Sequence, residues 1–192
     1  MQSPTRVLTI ADALFPRTAI LRDATLVVAF SLITAACAQI AFYVGPVPIT
    51  GQTFAVLLSG VLLGSRRGAL SQLAYLAQGA CGLPVFAAGH SGLPYMLGPT
   101  GGYLAGFVAA AFMVGLLAER GWDRQLWTMA AAMLAGNALL YMFGLLRLTA
   151  FVPSNSLLAV GLYPFIPGEL LKMALAATTL PSAWKLLPRQ QR

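Results

Sequence analysis

Four long stretches of this sequence carry no Asp, Glu, Lys or Arg: residues 24–65, 68–118, 125–146 and 148–168. About 20 apolar residues span the hydrocarbon core of a bilayer, so each of the first two stretches is long enough for two crossings. Both are interrupted near the middle by Gly and Pro. Charged residues make up 9% of the 192, against about 25% in an ordinary soluble domain. The expectation is an all-α integral membrane protein, multi-pass in a cell membrane, with six transmembrane helices.

The helices are expected at about 24–43, 53–64, 68–81, 103–117, 126–146 and 167–187. Residues 1–23 read as a cytoplasmic N-terminal arm, since they lack the apolar core of a cleaved signal peptide. The six-helix domain then covers 24–187, and 188–192 form a basic cytoplasmic tail. Small residues recur at four-residue spacing in the first helix (Ser31 and Ala35, Thr34 and Ala38), a face that packs inside the chain or docks another protein.

The net charge of +7 is distributed as membrane topology requires. Arg6, Arg17 and Arg22, then Arg66 and Arg67, then Arg120 and Arg124, then Lys185, Arg189 and Arg192 fall on one side of the six-helix plan. Arg147 alone falls on the other. Cytoplasmic loops carry the excess of Lys and Arg, so both termini are expected inside. No continuous basic patch remains for nucleic acid. The Gly/Pro-rich connections at 45–52, 82–102 and 148–166 then gather at the outer pole, where a loop as long as the second is more often functional than filler.

Most catalytic chemistry lacks its residues. His90 is the single histidine, and no Cys or carboxylate cluster accompanies it, so neither a metal site nor a Ser/His/Asp triad is expected. Cys37 and Cys81 lie in apolar surroundings and read as small hydrophobes. Gly98-Pro-Thr-Gly-Gly-Tyr103 lacks the Gly-Lys-Ser/Thr ending of a phosphate loop. No enzyme activity and no cofactor are expected.

What remains suits binding. Phe165-Ile166-Pro167-Gly168-Glu169-Leu170-Leu171-Lys172 opens the last helix, and Glu169 is the only acid after Asp123. Glu169 and Lys172 share a helix face one turn apart. An acid and a base at membrane depth are costly, which marks a functional site; a buried ion pair that only fixes helix packing is the competing reading. Gln52 and Thr50 stand at the second helix entrance, while Asn137 and Tyr141 lie one turn apart in the fifth helix. Tyr43, Tyr95, Tyr103 and Tyr163 add aromatic surface with a polar tip, and outer glycines such as Gly101 let backbone approach a ligand. His90 is as readily solvated as pocket-lining. The ligand expected is small and partly apolar, with amide-like N–H or C=O groups and, as an option, an anionic end.

Four segments in order resemble the BioY family: Val47-Pro-Ile-Thr-Gly-Gln-Thr53, Gly79-Ala-Cys-Gly-Leu-Pro-Val-Phe86, Leu97-Gly-Pro-Thr-Gly-Gly-Tyr103 and Phe165 to Lys172. These are the biotin-specific substrate-capture (S) components of energy-coupling-factor transporters. The resemblance implies a six-helix S-component fold, biotin bound near the outer face, and delivery inward by toppling of the whole component. The implied partners are a membrane coupling protein and two ATP-binding-cassette ATPases. It assigns the family's Pro-Gly-Asp-x-x-Lys acid and lysine to Glu169 and Lys172, and a loop polar contact to His90. An Arg that some members carry after Gly-Gly-Tyr is Leu104 in this chain. An S component for another vitamin, and a solitary biotin transporter, are the alternatives.

Overall fold

The computed structural model describes residues 9–14, 20–43 and 45–186. Of the basic residues used for topology, Arg6, Arg17, Arg189 and Arg192 lie outside the described residues, as does the whole expected tail at 188–192. The chain runs α1 (Ile10–Leu14), α2 (Ile20–Ala38), β1 (Ala41–Tyr43), β2 (Pro48–Thr50), α3 (Gln52–Leu63), α4 (Ser65–Ala80), α5 (Leu93–Leu97), α6 (Gly101–Ala118), α7 (Leu126–Leu148), α8 (Leu157–Gly161) and α9 (Ile166–Leu186). Helix dominates, and the two strands form one small antiparallel ribbon.

Among the described residues, four runs are helical and apolar enough to cross a bilayer: Ile20–Ala38, Gly101–Ala118, Leu126–Leu148 and Leu157–Ser182. With 12 and 16 residues, α3 and α4 fall short of the roughly 20 a full crossing takes. The outward faces carry large apolar side chains, among them Leu32 and Ile33 on α2, Leu70 and Leu73 on α4, and Leu171 and Leu175 on α9. Such a surface suits lipid and not water.

The first helix departs from its expected limits at both ends. It starts at Ile20, not 24, because its two charged residues are accommodated. Asp23 sits in the first turn, where the helix dipole favours an anion. Arg22 pairs with Asp23 at 2.9 Å and Asp12 at 3.1 Å. At its far end the helix stops at Ala38, and Ala41–Tyr43 pairs with Pro48–Thr50 in the register Ala41–Thr50, Phe42–Ile49, Tyr43–Pro48. Pro46 and Pro48 hold the residues before them extended and cannot donate helical bonds. A ribbon satisfies the backbone groups that a helix could not.

The third helix also begins early, at Ser65, so Arg66 and Arg67 lie in its first turn. One residue, Gly64, separates α3 from α4, and its φ of 85° is a region glycine enters without strain. Glu119 reaches from the end of α6 to cap the new helix, accepting from the Ser65 N–H at 2.7 Å and from Ser65 Oγ at 2.8 Å. Arg67 is neutralised by Asp12 at 2.6 Å.

The core lies around α6, which packs on α3, α4 and α7. Glycine makes this possible: a Cβ on Gly60 would lie 2.3 Å from the Ala111 carbonyl oxygen, and one on Gly115 2.4 Å from the Ser65 nitrogen. Small residues bring helices this close in lipid, where no hydrophobic effect presses them together. The small face of α2 is likewise spent internally. Ser31, Thr34, Ala35 and Ala38 are its buried residues, and Gln78 and Gln72 of α4 donate to Ser31 and Thr34 at 3.0 and 3.3 Å. At the pole bearing these arginines, Trp184 of α9 donates to Asp123 at 2.5 Å while Arg124 covers its ring at 4.6 Å.

Two outcomes follow. Gly115→Ala forces α4 away from α6 and should cost about 1–3 kcal/mol, seen as a lower melting temperature of the purified protein. Burial would raise the Asp12 carboxyl, but hydrogen bonds from Arg67, Thr9 and Arg22 outweigh it and hold the group below its ordinary value of 3.8. A depressed carboxyl stabilises above its unfolded pKa and loses that contribution as pH falls through its folded one. Asp12→Asn should therefore lower the melting temperature at pH 6, with the gap to the parent closing as pH falls below 3.8.

Candidate functional site

The start of α9 gathers the chemistry. Pro167 lies in the first turn, where its missing N–H forfeits no helical bond, and Glu169 sits at the favourable end of the dipole. Glu169 is buried, with 6% exposure. Its Oε1 accepts from Lys172 Nζ at 2.8 Å and from Thr53 Oγ1 at 2.6 Å. Lys172 Nζ also donates to Thr53 Oγ1 at 2.7 Å and to the Thr50 carbonyl at 2.9 Å. The ammonium thus spends all three donors. The carboxylate spends one oxygen, and Oε2 is buried without a partner among the described residues.

A second network ties this cluster to the loop after α4. Gln52 accepts from Thr50 Oγ1 at 2.8 Å and donates to the Tyr75 hydroxyl at 2.6 Å. Tyr75 in turn donates to the Val85 carbonyl at 3.0 Å. Ribbon, α3, α4 and loop are joined through these bonds.

Between them lies a cavity of about 30 Å³, lined by Thr50, Gln52, Thr53, Tyr103, Tyr141 and Phe165 among others. That volume holds about one water. Tyr103, Tyr141 and Phe165 form an aromatic triangle with ring centroids 5.8–6.3 Å apart. Pro48, Tyr95 and Thr100 line both this cavity and a 240 Å³ depression beside it, so they are the partition between the two. On the other side of Tyr141, a groove of 510 Å³ runs between α7 and α9. A larger hollow of 840 Å³ lies between α2 and α4 at the opposite pole, where Asp12, Arg22 and Arg67 are paired with one another, so it is not this site.

The residues singled out in the sequence distribute as follows. Glu169, Lys172 and Gln52 meet in the networks above, and Tyr103 lines the cavity, its hydroxyl donating to the Gly161 carbonyl at 2.7 Å. Asn137 is buried at the groove, and Tyr141 lies between groove and cavity. His90 and Tyr43 line the depression and not the cavity; the His90 ring stacks on Tyr95 at 4.9 Å with Nδ1 2.7 Å from the Ala87 carbonyl. A Cβ on Gly101 would lie 1.8 Å from the Met96 carbonyl oxygen, so this glycine serves the α5–α6 junction. Tyr163 is 56% exposed, because the 3₁₀ turn Tyr163–Phe165 directs Phe165 inward.

Thr53, Tyr75 and Phe165 were not singled out as site residues. A threonine and a tyrosine inside apolar helices carry no signal of their own. Thr53 could have been found from its place directly after Gln52 at a helix start.

A model of the BioY family matches residues 6–189. The chain belongs to the BioY family. It is 41% identical over 155 residues to the probable biotin transporter BioY of Pyrococcus horikoshii, covering 81% of this chain and 91% of that one. It is 40% identical over 149 residues to the biotin transporter BioY of Thermotoga maritima, covering 77% and 87%. Its fold matches a crystal structure of the S-component for biotin from an ECF-type ABC transporter, with a TM-score of 0.77, 26% identity, and coverage of 88% of this chain and 95% of that one. This BioY-family chain is a multi-pass membrane protein, and its family is one of transporters and not of enzymes.

The geometry gives Thr53 a double role, as donor to Glu169 and acceptor from Lys172. Thr53→Val keeps the shape and removes both bonds. It should lower the melting temperature by an amount worth about 1.5–3 kcal/mol, and Thr53→Ser should restore most of it.

Proposed function

We propose that this chain captures biotin at the pole formed by the ribbon, the 82–100 loop and the start of α9, and delivers it inward as an S component. The observation that carries the site is the asymmetry of Glu169: one oxygen bound to Lys172 and Thr53, the other buried and unpaired. Asp123 at the opposite pole shares this asymmetry, but Glu169 also pairs with Lys172 and lines an open groove between α7 and α9, where a ligand can approach. The names of its relatives and of the matching structure support biotin as the ligand.

Orientation follows from charge. Arg22, Arg66, Arg67, Arg120 and Arg124 lie at the pole opposite Glu169, and Arg147 lies at the Glu169 end, donating to the Leu97 carbonyl. The positive-inside rule then turns the Glu169 pole outward and both termini to the cytoplasm. In this reading α3 and α4 complete six spans together with the irregular segments beside them, which is tolerated where such backbone is buried in protein. A bilayer surrounds the bundle, and a membrane coupling protein with two ATP-binding-cassette ATPases supplies the energy. Because Ser31, Thr34, Ala35 and Ala38 of α2 are covered by the chain itself, that coupling protein must meet other surfaces.

A ligand-sized pocket runs from about 300 Å³ upward, ten times the central cavity. Admission through the depression therefore requires the partition of Pro48, Tyr95 and Thr100 to move. Isothermal titration of protein stripped of ligand should show biotin binding at micromolar Kd or tighter; absence of binding at those concentrations contradicts the assignment. Lys172→Ala and Glu169→Ala should each weaken binding by at least about 1.5 kcal/mol, roughly tenfold. Unchanged affinity in both would make the pair structural.

A further inference from the structure

At the pole opposite Glu169, α2 and α4 stand apart. The 840 Å³ hollow between them is walled by Ala24 and Val27 of α2 and by Leu70, Leu73, Ala74 and Ala77 of α4. Leu70 and Leu73 are exposed, so the hollow opens through the lipid-facing surface. Beyond its end the two helices are bonded, Gln78 donating to Ser31 at 3.0 Å. From Arg66 to Ala77, α4 advances about 16 Å at 1.5 Å per residue. One leaflet's share of the hydrocarbon core is about 15 Å, so the hollow is as deep as one acyl layer.

Charged groups ring its mouth. Asp12 holds Arg22 at 3.1 Å and Arg67 at 2.6 Å, and Asp23 holds Arg22 at 2.9 Å. Glu119 is spent on Ser65. Two donors are left over. Arg66 lines the hollow, is exposed, and makes no hydrogen bond or ion pair with any described residue. Nη1 of Arg67 is buried without a partner among the described residues. One acid is also under-used, since the Asp23 side chain is 45% exposed and its contact with Arg67 Nε is a long 3.8 Å. Buried polar groups are nearly always bonded, so the ring lacks a group that accepts from the arginines.

We propose that this hollow holds one phospholipid with an ethanolamine-type head. Its phosphate lies on Arg66 and Arg67, its ammonium on Asp23, and an acyl chain runs along Leu70, Leu73 and Ala77. On the orientation proposed above, it belongs to the cytoplasmic leaflet. Charge selects the head group. Arg22, Arg66 and Arg67 balance Asp12, Asp23 and Glu119, so the mouth carries no net charge and favours a zwitterion over an anion. A phosphate is a strong acceptor for guanidinium groups. A primary ammonium can donate to Asp23, whereas a choline head has no N–H to give. A partner's spanning helix needs a groove through both leaflets, and this one closes where Gln78 meets Ser31.

The test offers the full-length protein, purified in detergent and freed of native lipid, three dioleoyl lipids in turn: phosphatidylethanolamine, phosphatidylcholine and phosphatidylglycerol. Native mass spectrometry counts the lipid retained, and equal chains leave only the head to differ. One phosphatidylethanolamine per chain should be held about tenfold better than either other lipid, and Arg66→Gln should erase that preference. Without lipid this variant should melt with the parent, since Arg66 has no partner to lose among the described residues. Ala77→Phe, at an exposed position in the hollow, should abolish the retained lipid whatever its head. Equal retention of the three lipids marks annular lipid only and overturns the proposal, as does a preference for phosphatidylglycerol. Retention unchanged in Arg66→Gln or in Ala77→Phe overturns it too. Ala77→Phe that keeps the lipid but loses the coupling protein assigns the hollow to a partner helix instead.

Discussion

Lys172 and Glu169 bring opposite charges into a low-dielectric interior, where desolvation can exceed the Coulombic gain unless hydrogen bonds finish the job. The fold supplies those bonds from three places: Thr53 on α3, the Thr50 carbonyl on β2, and the two residues themselves on α9. None of these elements holds the cluster alone. The ribbon must deliver a backbone carbonyl to the ammonium, and α3 must start where its first threonine reaches the carboxylate. An irregular segment at this depth is stable because it is bonded to a helix.

The rest of the bundle sets the distances that the cluster needs. Gly60 and Gly115 let α3, α4 and α6 approach until backbones touch, which fixes α3 against the core. At the opposite end, Glu119 caps α4 and Asp12 joins Arg22 to Arg67. Trp184 and Asp123 hold the far end of α9. Asp123 there, like Glu169, keeps one buried carboxylate oxygen without a partner among the described residues; Glu169 differs in lining an open groove between α7 and α9.

Much of this was legible in the sequence, for stated reasons. Absence of charge over tens of residues has one explanation, so the helical segments and their class were plain. Glu169 and Lys172 stood out because ionisable residues are scarce in lipid. The ribbon was hidden because Ala41, Phe42 and Tyr43 continue the apolar run without a break; only the prolines beyond them decide the outcome. Arg66 and Arg67 read as a loop because Asp12, which pairs with Arg67, and Glu119, which caps the helix at Ser65, are remote in sequence. The Thr50 carbonyl could not be anticipated, since a backbone atom has no sequence signature. Thr53 and Tyr75 were missed because single hydroxyls in apolar helices are ordinary. Which aromatic of Tyr163 and Phe165 faces inward depends on a 3₁₀ turn that hydropathy does not register.

The most direct test is a structure of this protein with biotin bound, at a resolution that places individual side-chain oxygens. The account predicts a ligand N–H donating to Glu169 Oε2 at about 2.7–3.2 Å, with Lys172 and Thr53 still on Oε1. Biotin seated elsewhere, with Oε2 still buried and unpaired, would contradict it.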